Sequence, residues 1–312
     1  MVSPVIRQRN GGAGMRPSWL SQALFPFESR FLEGSDALIH YVDEGTGPTI
    51  LFLHPAPASS FIYRAFIAQL RGRFRCIALD YPGFGLSVPH NGFALTLENL
   101  AGAVADFVEA LDLRGITLMV HDSGGPVGLG AATQAPQRYR AFILTDTLAF
   151  PVRGYPPVEM MLRLVTSAPF RALNRHFNLL PWLVSTMAPV GRRLSPEERA
   201  AYRHLFPTPE TRDRILLLFR QLVDNPRYLA RLEADLQRHF REAPALLMFG
   251  QFDPVRLVGW VNRLQGIFPR HQVQIIPREG HFPHEGSPQS MIDAIVKWYD
   301  AVLREGEIGL AH

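Results

Sequence analysis

The sequence predicts an α/β protein: a mostly parallel central sheet flanked by helices and interrupted by a helical insertion. Three observations carry this reading. From about residue 37, short apolar runs alternate with stretches of helical periodicity, the pattern of strands covered on both faces by crossover helices. Over residues 151–241 the alternation stops, and the chain turns rich in proline, arginine and leucine with no strand-like run. Strand character then returns at residues 245–249 and 272–276. The expected organisation is a disordered tail over residues 1–17, a core made of residues 18–150 and 242–305, and a helical lid of residues 151–241 inserted into it. The 312 residues suffice for one such domain, and 47% hydrophobic content is ordinary for a globular chain.

Residues 37–42 and 49–53 read as strands around the turn Glu44-Gly45-Thr46-Gly47-Pro48. Residues 63–70 read as a helix and 75–80 as the next strand, which the loop Pro82-Gly83-Phe84-Gly85 ends. Leu97, Leu100, Ala101, Val104, Phe107, Val108 and Leu111 recur at helical spacing, with Thr96 as the start signal. Residues 116–120 form a short apolar run, hence a central strand. A helix of small residues follows at 124–134, and a strand at 141–145. A last helix is expected over about residues 288–303.

Composition excludes several classes. The first 15 residues are polar, with no apolar signal-peptide region, and no apolar run reaches the roughly 18 residues of a membrane span. The one cysteine, Cys76, sits in an apolar strand, so a disulfide framework is impossible and a buried inert thiol is expected. A cytoplasmic location follows as the default. The net charge of +4 includes a single lysine, Lys297. The arginines are scattered and accompany no nucleic-acid motif, so no nucleic-acid partner is expected.

The most informative segment is Leu118-Met119-Val120-His121-Asp122-Ser123-Gly124-Gly125. A buried strand runs into a sharp turn that opens a helix, with glycine two residues after Asp122. This is the context of the nucleophile elbow of α/β-hydrolases, with aspartate where serine is usual. A carboxylate is anionic at neutral pH and needs no base to activate it. Attack on a carbonyl would give a labile anhydride, whereas attack on a saturated carbon gives a stable alkyl ester. Asp122 therefore points to an electrophilic saturated carbon, as in alkyl halides or epoxides.

Two more residues fall where a triad needs them. Asp253 follows a strand in Phe249-Gly250-Gln251-Phe252-Asp253-Pro254, and His281 follows the last strand in Glu279-Gly280-His281-Phe282. Their order after the nucleophile is that of α/β-hydrolases, and the strand ends of a parallel sheet share one crevice. His281 would take a proton from water, and Asp253 would orient its imidazole. Asp146, ending the preceding strand, is a rival acid. Backbone N–H groups of Ala56 and Ser123 are the expected oxyanion donors. Pro55 has no N–H to donate, and Pro55 and Pro57 together should stiffen the loop.

Plainer readings stand beside these. Asp122 could cap a helix, Asp253 could form only a turn, and His281 could be a loop histidine, with His284 the structural one. Ser123 would become the nucleophile if the register slipped by one, but bulky His121 would then sit where the elbow needs a small residue. No His/Cys cluster has metal-ligand spacing, and Gly83-Phe84-Gly85 lacks a full phosphate-binding pattern. Neither cofactor nor metal is expected. The expected partners are a small apolar organic substrate and water; the oligomeric state stays open.

Taken together, these residues resemble haloalkane dehalogenases, and more broadly epoxide hydrolases, of the α/β-hydrolase superfamily. The resemblance rests on Phe25-Pro26-Phe27-Glu28-Ser29-Arg30-Phe31, Tyr41-Val42-Asp43-Glu44-Gly45, His54 with Pro57 and Ser59-Ser60, and Arg64. Asp80 with Pro82-Gly83-Phe84-Gly85 and Ser87, His121-Asp122 with Gly124, and Gly280-His281-Phe282 with Glu285 complete it. It spans about residues 18–304 apart from the lid. It implies Asp122 as nucleophile, His281 as base and Asp253 as acid; one dehalogenase subgroup has its acid where Asp146 stands.

The chain departs from that family at the leaving-group site. Ser123 replaces the usual tryptophan, Ala56 the usual asparagine and Pro55 a glycine. The Ser123 hydroxyl and the lid residue Trp182 are the remaining candidate halide donors. Epoxide hydrolases protonate the opening ring with lid tyrosines, for which Tyr155 and Tyr228 are candidates ahead of Tyr202. A cofactor-independent oxygenase or luciferase of this architecture can keep the triad, whereas a non-catalytic binding member would have a broken one.

Overall fold

The computed structural model describes residues 7–10, 17–186 and 193–309. One edge of its sheet is antiparallel: β1 (Arg7–Asn10), β2 (Arg30–Glu33) and β3 (Ala37–Glu44), with β6 (Val88–Pro89) also on β3. β5 (Arg75–Leu79) pairs antiparallel with β3. From β5 onward β4 (Thr49–Leu53), β7 (Ile116–His121), β8 (Tyr139–Thr145), β9 (Ala245–Gly250) and β10 (His271–Ile276) all run parallel. β4, β7 and β9 are buried at every position. That is why they read as unbroken apolar runs and not as alternating ones.

The disordered tail expected over residues 1–17 is corrected at Arg7–Asn10, which form β1 against β2. Edge pairing of this kind satisfies backbone N–H and C=O groups and needs no apolar side chains, so a polar tetrapeptide gives no signal for it. Residues 1–6 and 11–16 lie outside the described residues.

Helices α1 (Arg64–Leu70), α2 (Leu97–Ala110) and α3 (Gly124–Gln134) cover the sheet. The Thr96 side chain accepts the Asn99 N–H at 3.1 Å and starts α2, which buries Leu97, Leu100, Val104, Phe107 and Val108. Cys76 is buried and free, and burial, with Glu44 and Asp43 nearby, pushes its thiol up to about 12. It is therefore unreactive at neutral pH.

Between β8 and β9 the described residues contain no strand. α4 (Pro156–Val165), α5 (Ala168–Phe177), α6 (Leu179–Thr186) and the helices Pro196–His204, Pro209–Asp224 and Pro226–His239 fill the interval. Most of the prolines that make this region look irregular stand in first helical turns, where a missing N–H costs nothing. Ser195 with Glu198 forms a capping box. Arg64 fastens this region to the core: its guanidinium binds Glu285 at 2.6 and 2.7 Å and Glu198 at 2.6 Å, while Tyr202 Oη donates to Glu285 at 2.6 Å. The last helix of the insertion, Pro226–His239, packs on α3 and so leads the chain back to the core. No helix among the described residues is long and apolar enough to cross a membrane.

Candidate active site

The bend between β7 and α3 carries Asp122 at φ +48°, a left-handed conformation uncommon for a side chain other than glycine. Two glycines make the bend possible. A Cβ on Gly124 would lie 2.6 Å from the Leu53 carbonyl oxygen, and one on Gly125 would collide with Thr147. Thr147 Oγ1 donates to the Asp122 carbonyl at 2.5 Å, and the Gly125 N–H donates to the same oxygen at 2.9 Å. Ser123 instead has ordinary helical dihedrals, so the exposed tip belongs to Asp122 and no register slip occurs. The N-cap position of α3 is Ser123, not Asp122, and its side chain makes no capping hydrogen bond.

His281 Nε2 stands 3.4 Å from Asp122 Oδ1, and His281 Nδ1 stands 2.5 Å from Asp253 Oδ2. Asp253 is fully buried, while the side chains of His281 and Asp122 stay 30% and 15% exposed, so that pair keeps an open face and Asp253 does not. The other Asp253 oxygen accepts the Val255 N–H at 2.6 Å. Asp253 is thus both turn former and histidine partner, and the cap fixes the carboxylate that holds the ring.

Asp146, also at positive φ, accepts the Gly250 N–H at 3.0 Å through Oδ1 and meets Asp253, not the histidine. Burial and the Asp253 charge hold its carboxyl well above the usual carboxylate range. Its other oxygen, Oδ2, is buried without a hydrogen-bond partner. The two candidate acids are arranged in series: Asp146, then Asp253, then His281.

Electrostatics set the charge of the pair. Burial opposes ionisation of Asp122, but the His281 hydrogen bond and charge, His121 and the Ser123 N–H outweigh it and lower its pKa. Burial likewise opposes the His281 cation, and Asp253 and Asp122 outweigh it, holding the imidazole well above its ordinary value. Both shifts favour the charged forms, Asp122 as carboxylate and His281 as imidazolium.

The Ala56 N–H is not free, as the oxyanion reading assumed. It donates to Ser123 Oγ at 2.9 Å, because a short serine side chain reaches it. A hydroxyl that accepts one hydrogen bond still has its own proton to donate. The donors at this corner are therefore the Ser123 hydroxyl, backed by Ala56, and the Ser123 N–H facing the Asp122 carboxylate. His54 keeps the loop rigid: its ring bonds the Pro55 carbonyl at 2.8 Å and accepts the Tyr81 N–H at 3.2 Å.

The lid candidates need correction. Tyr228 Oη donates to the Pro126 carbonyl at 2.7 Å and fills the space over Gly130, so it locks the helix Pro226–His239 onto α3 and is no proton donor to the site. Trp182 is 46% exposed, which is not the dry enclosure a halide donor needs. Tyr155 packs against Phe150 and Trp260, both at 5.9 Å between ring centroids, and its hydroxyl is bonded to Arg263. Tyr202 is taken up by Glu285. Replacing Tyr228 by phenylalanine should cost about 1 kcal/mol, hence a melting point lower by about 2–4 °C, with turnover unchanged. A thermal melt and a rate assay on Tyr228→Phe check this.

Sequence reasoning missed the support given by His121. Its Nε2 bonds the His281 carbonyl at 2.8 Å, and its ring stacks on buried His284 at 4.4 Å. Burial, with His281 nearby, pushes the His284 pKa down to about 3. The two stacked rings thus buttress the loop that carries His281. Only the position of His121 beside Asp122 hinted at this; the stack joins two segments that lie far apart in the sequence.

An aspartate on a strand-bend-helix turn, a second aspartate after β9 and a histidine after β10 are the arrangement of an α/β-hydrolase. The family model for the alpha/beta hydrolase fold matches residues 48–288, and the chain belongs to that family. Within it, the protein is a hydrolase resembling the haloalkane dehalogenases. It is 34% identical over 279 residues to haloalkane dehalogenase 2 of Mycobacterium tuberculosis, covering 88% of this chain and 96% of the relative. It is 28% identical over 285 residues to a cis-3-alkyl-4-alkyloxetan-2-one decarboxylase of Shewanella oneidensis, covering 87% and 88%. The haloalkane dehalogenase DatA of Agrobacterium tumefaciens superposes with a TM-score of 0.79 at 24% identity, over 91% of this chain and 100% of that one; at that identity the likeness is one of fold.

Proposed function

We propose that the protein hydrolyses small apolar substrates at a saturated electrophilic carbon, by way of an alkyl ester on Asp122. In the first step an Asp122 oxygen bonds the carbon as the bond to the leaving group breaks, and the leaving group departs with the electron pair. In the second, His281 takes a proton from water, and the hydroxide attacks Asp122 Cγ. The acyl C–O bond breaks, the alkoxide takes the proton back, the alcohol leaves, and the new Asp122 carboxylic acid passes its proton to His281, which regenerates the carboxylate. Halide displacement is the first reading, with the Ser123 hydroxyl as leaving-group donor. The observation that carries it is the line Asp122, His281, Asp253, with contacts of 3.4 and 2.5 Å.

The charges support this order of events. Esterification removes the Asp122 charge that helps keep His281 protonated. The imidazole pKa then falls, and the ring becomes a base when the ester is ready for water.

One departure favours a second reading. Ser123 and Ala56 stand where dehalogenases have two strong halide donors. A strained ring, either an epoxide or the four-membered lactone in the name of the Shewanella relative, depends less on such donors. Its leaving oxygen stays tethered, and ring strain drives the opening.

The test is to incubate His281→Gln with haloalkanes, epoxides and a β-lactone, then weigh the intact protein. A stable adduct is expected, absent when Asp122→Asn is added. Its mass distinguishes an alkyl group from a whole ring-opened substrate. No adduct from any compound overturns the proposal, and oxygen uptake in its place would favour the oxygenase reading.

A further inference from the structure

The lid carries a surface the hydrolytic site does not use. Among the described residues, most of the large apolar side chains left exposed belong to it: Met160 at 70%, Leu164 at 66% and Phe177 at 64%, with Leu173, Trp182 and Leu217. They belong to one layer. α4 and α5 both pack on the helix Pro209–Asp224, and α6 packs on α5. α4 turns Val158 and Leu162 inward and Met160 and Leu164 outward. Exposure of apolar residues on this scale marks a contact surface.

Charge narrows the partner. Residues 151–241 hold 15 arginines against 8 acidic residues, net +7, whereas the rest of the chain holds 17 basic and 20 acidic residues, net −3. Arg163 and Arg220, on α4 and on the helix Pro209–Asp224, stand 61% and 63% exposed, each paired at 2.8 Å within its helix, with Glu159 and Asp224. Arg171, Arg220 and Leu217 border a shallow hollow that Asp213 also lines, and Asp213 is already paired with Arg171 and Arg175. A second copy would bring a face of the same positive sign, which disfavours self-association. Apolar side chains that insert among an arginine rim suit a surface with an apolar interior and anionic groups at its boundary.

We propose that the lid docks on an anionic phospholipid bilayer. Docking does not depend on the chemistry at Asp122. If that chemistry is as proposed, docking turns the lid toward the phase in which apolar substrates concentrate.

The experiment is flotation of the full chain with two kinds of vesicle, pure phosphatidylcholine and phosphatidylcholine with roughly 30–40% phosphatidylglycerol. The protein should float with the anionic vesicles at low salt, stay behind with the neutral ones, and be released by about 0.5 M salt. The pair Leu164→Asp with Phe177→Asp, and separately Arg163→Glu with Arg220→Glu, should each weaken binding about tenfold or more. Circular dichroism and turnover of a soluble substrate should stay at wild-type levels, since all four side chains face solvent. Failure of the wild type to float with anionic vesicles overturns the proposal, as does equal binding by both pairs. So does a concentration-dependent dimer that Leu164→Asp with Phe177→Asp dissolves, which would assign the face to a second copy.

Discussion

Asp122→Asn should lower turnover by roughly four to six orders of magnitude while leaving the fold intact. Asparagine matches aspartate in size and accepts the left-handed backbone at φ +48° as readily, so the bend survives. What disappears is the anion. An amide oxygen is a poor nucleophile toward saturated carbon, and no neighbouring carboxylate reaches the substrate in its place, because Asp253 is fully buried behind His281. A second readout separates loss of the nucleophile from general damage. Asp122 is one of the two carboxylates that hold the His281 cation, so the imidazole pKa should fall in Asp122→Asn and recover in Asp122→Glu, which keeps the charge. An NMR titration of His281 follows this directly. Retained turnover in Asp122→Asn would remove the covalent route altogether.

The parallel part of the fold was legible because its physics is local. β4, β7 and β9 are covered on both faces and so appear as apolar runs, and α2 shows its buried face at helical spacing. The antiparallel edge was not legible in the same way. β1 is four residues whose pairing is made by the backbone, and β6 is two residues long. Nothing in their side chains encodes a partner. The lid was legible as helical, yet its last helix proved to rest on the core. Tyr228 decides that, through one hydrogen bond to Pro126 across 102 residues of sequence.

At the site, Asp122, Asp253 and His281 were legible because each lies in a short segment whose neighbours are constrained: glycines after Asp122, Pro254 after Asp253, Gly280 before His281. Contacts between segments were not. Ala56 and Ser123 do meet at one corner, but one bonds the other, which turns two parallel backbone donors into a relay through a hydroxyl. The raised pKa of Asp146 was equally invisible. It arises from burial beside a second carboxylate, and that adjacency exists only once β8 and β9 pair.

That pair of carboxylates yields a sharp contrast between two similar substitutions. Asp253→Asn should reduce turnover by about 10⁴-fold, because an amide facing Nδ1 no longer selects the tautomer that leaves Nε2 basic and no longer stabilises the cation. Asp146→Asn should stay within about tenfold of wild type. Asp146 accepts from Gly250 through Oδ1, as an asparagine carbonyl oxygen also can, and burial beside the Asp253 charge already disfavours its ionised form, so a neutral amide there changes little. Asp146→Leu leaves the Gly250 N–H unpaired, so it should cost stability more than rate. Single-turnover rates of esterification and hydrolysis, measured on the substrate that the trapped adduct identifies, locate each effect. The hydrolysis step should carry nearly all of the Asp253→Asn defect, since only that step needs His281 as a base. If Asp146→Asn is the slow variant and Asp253→Asn the mild one, the order of the relay is reversed, and the acid after β8 is the one that orients the histidine.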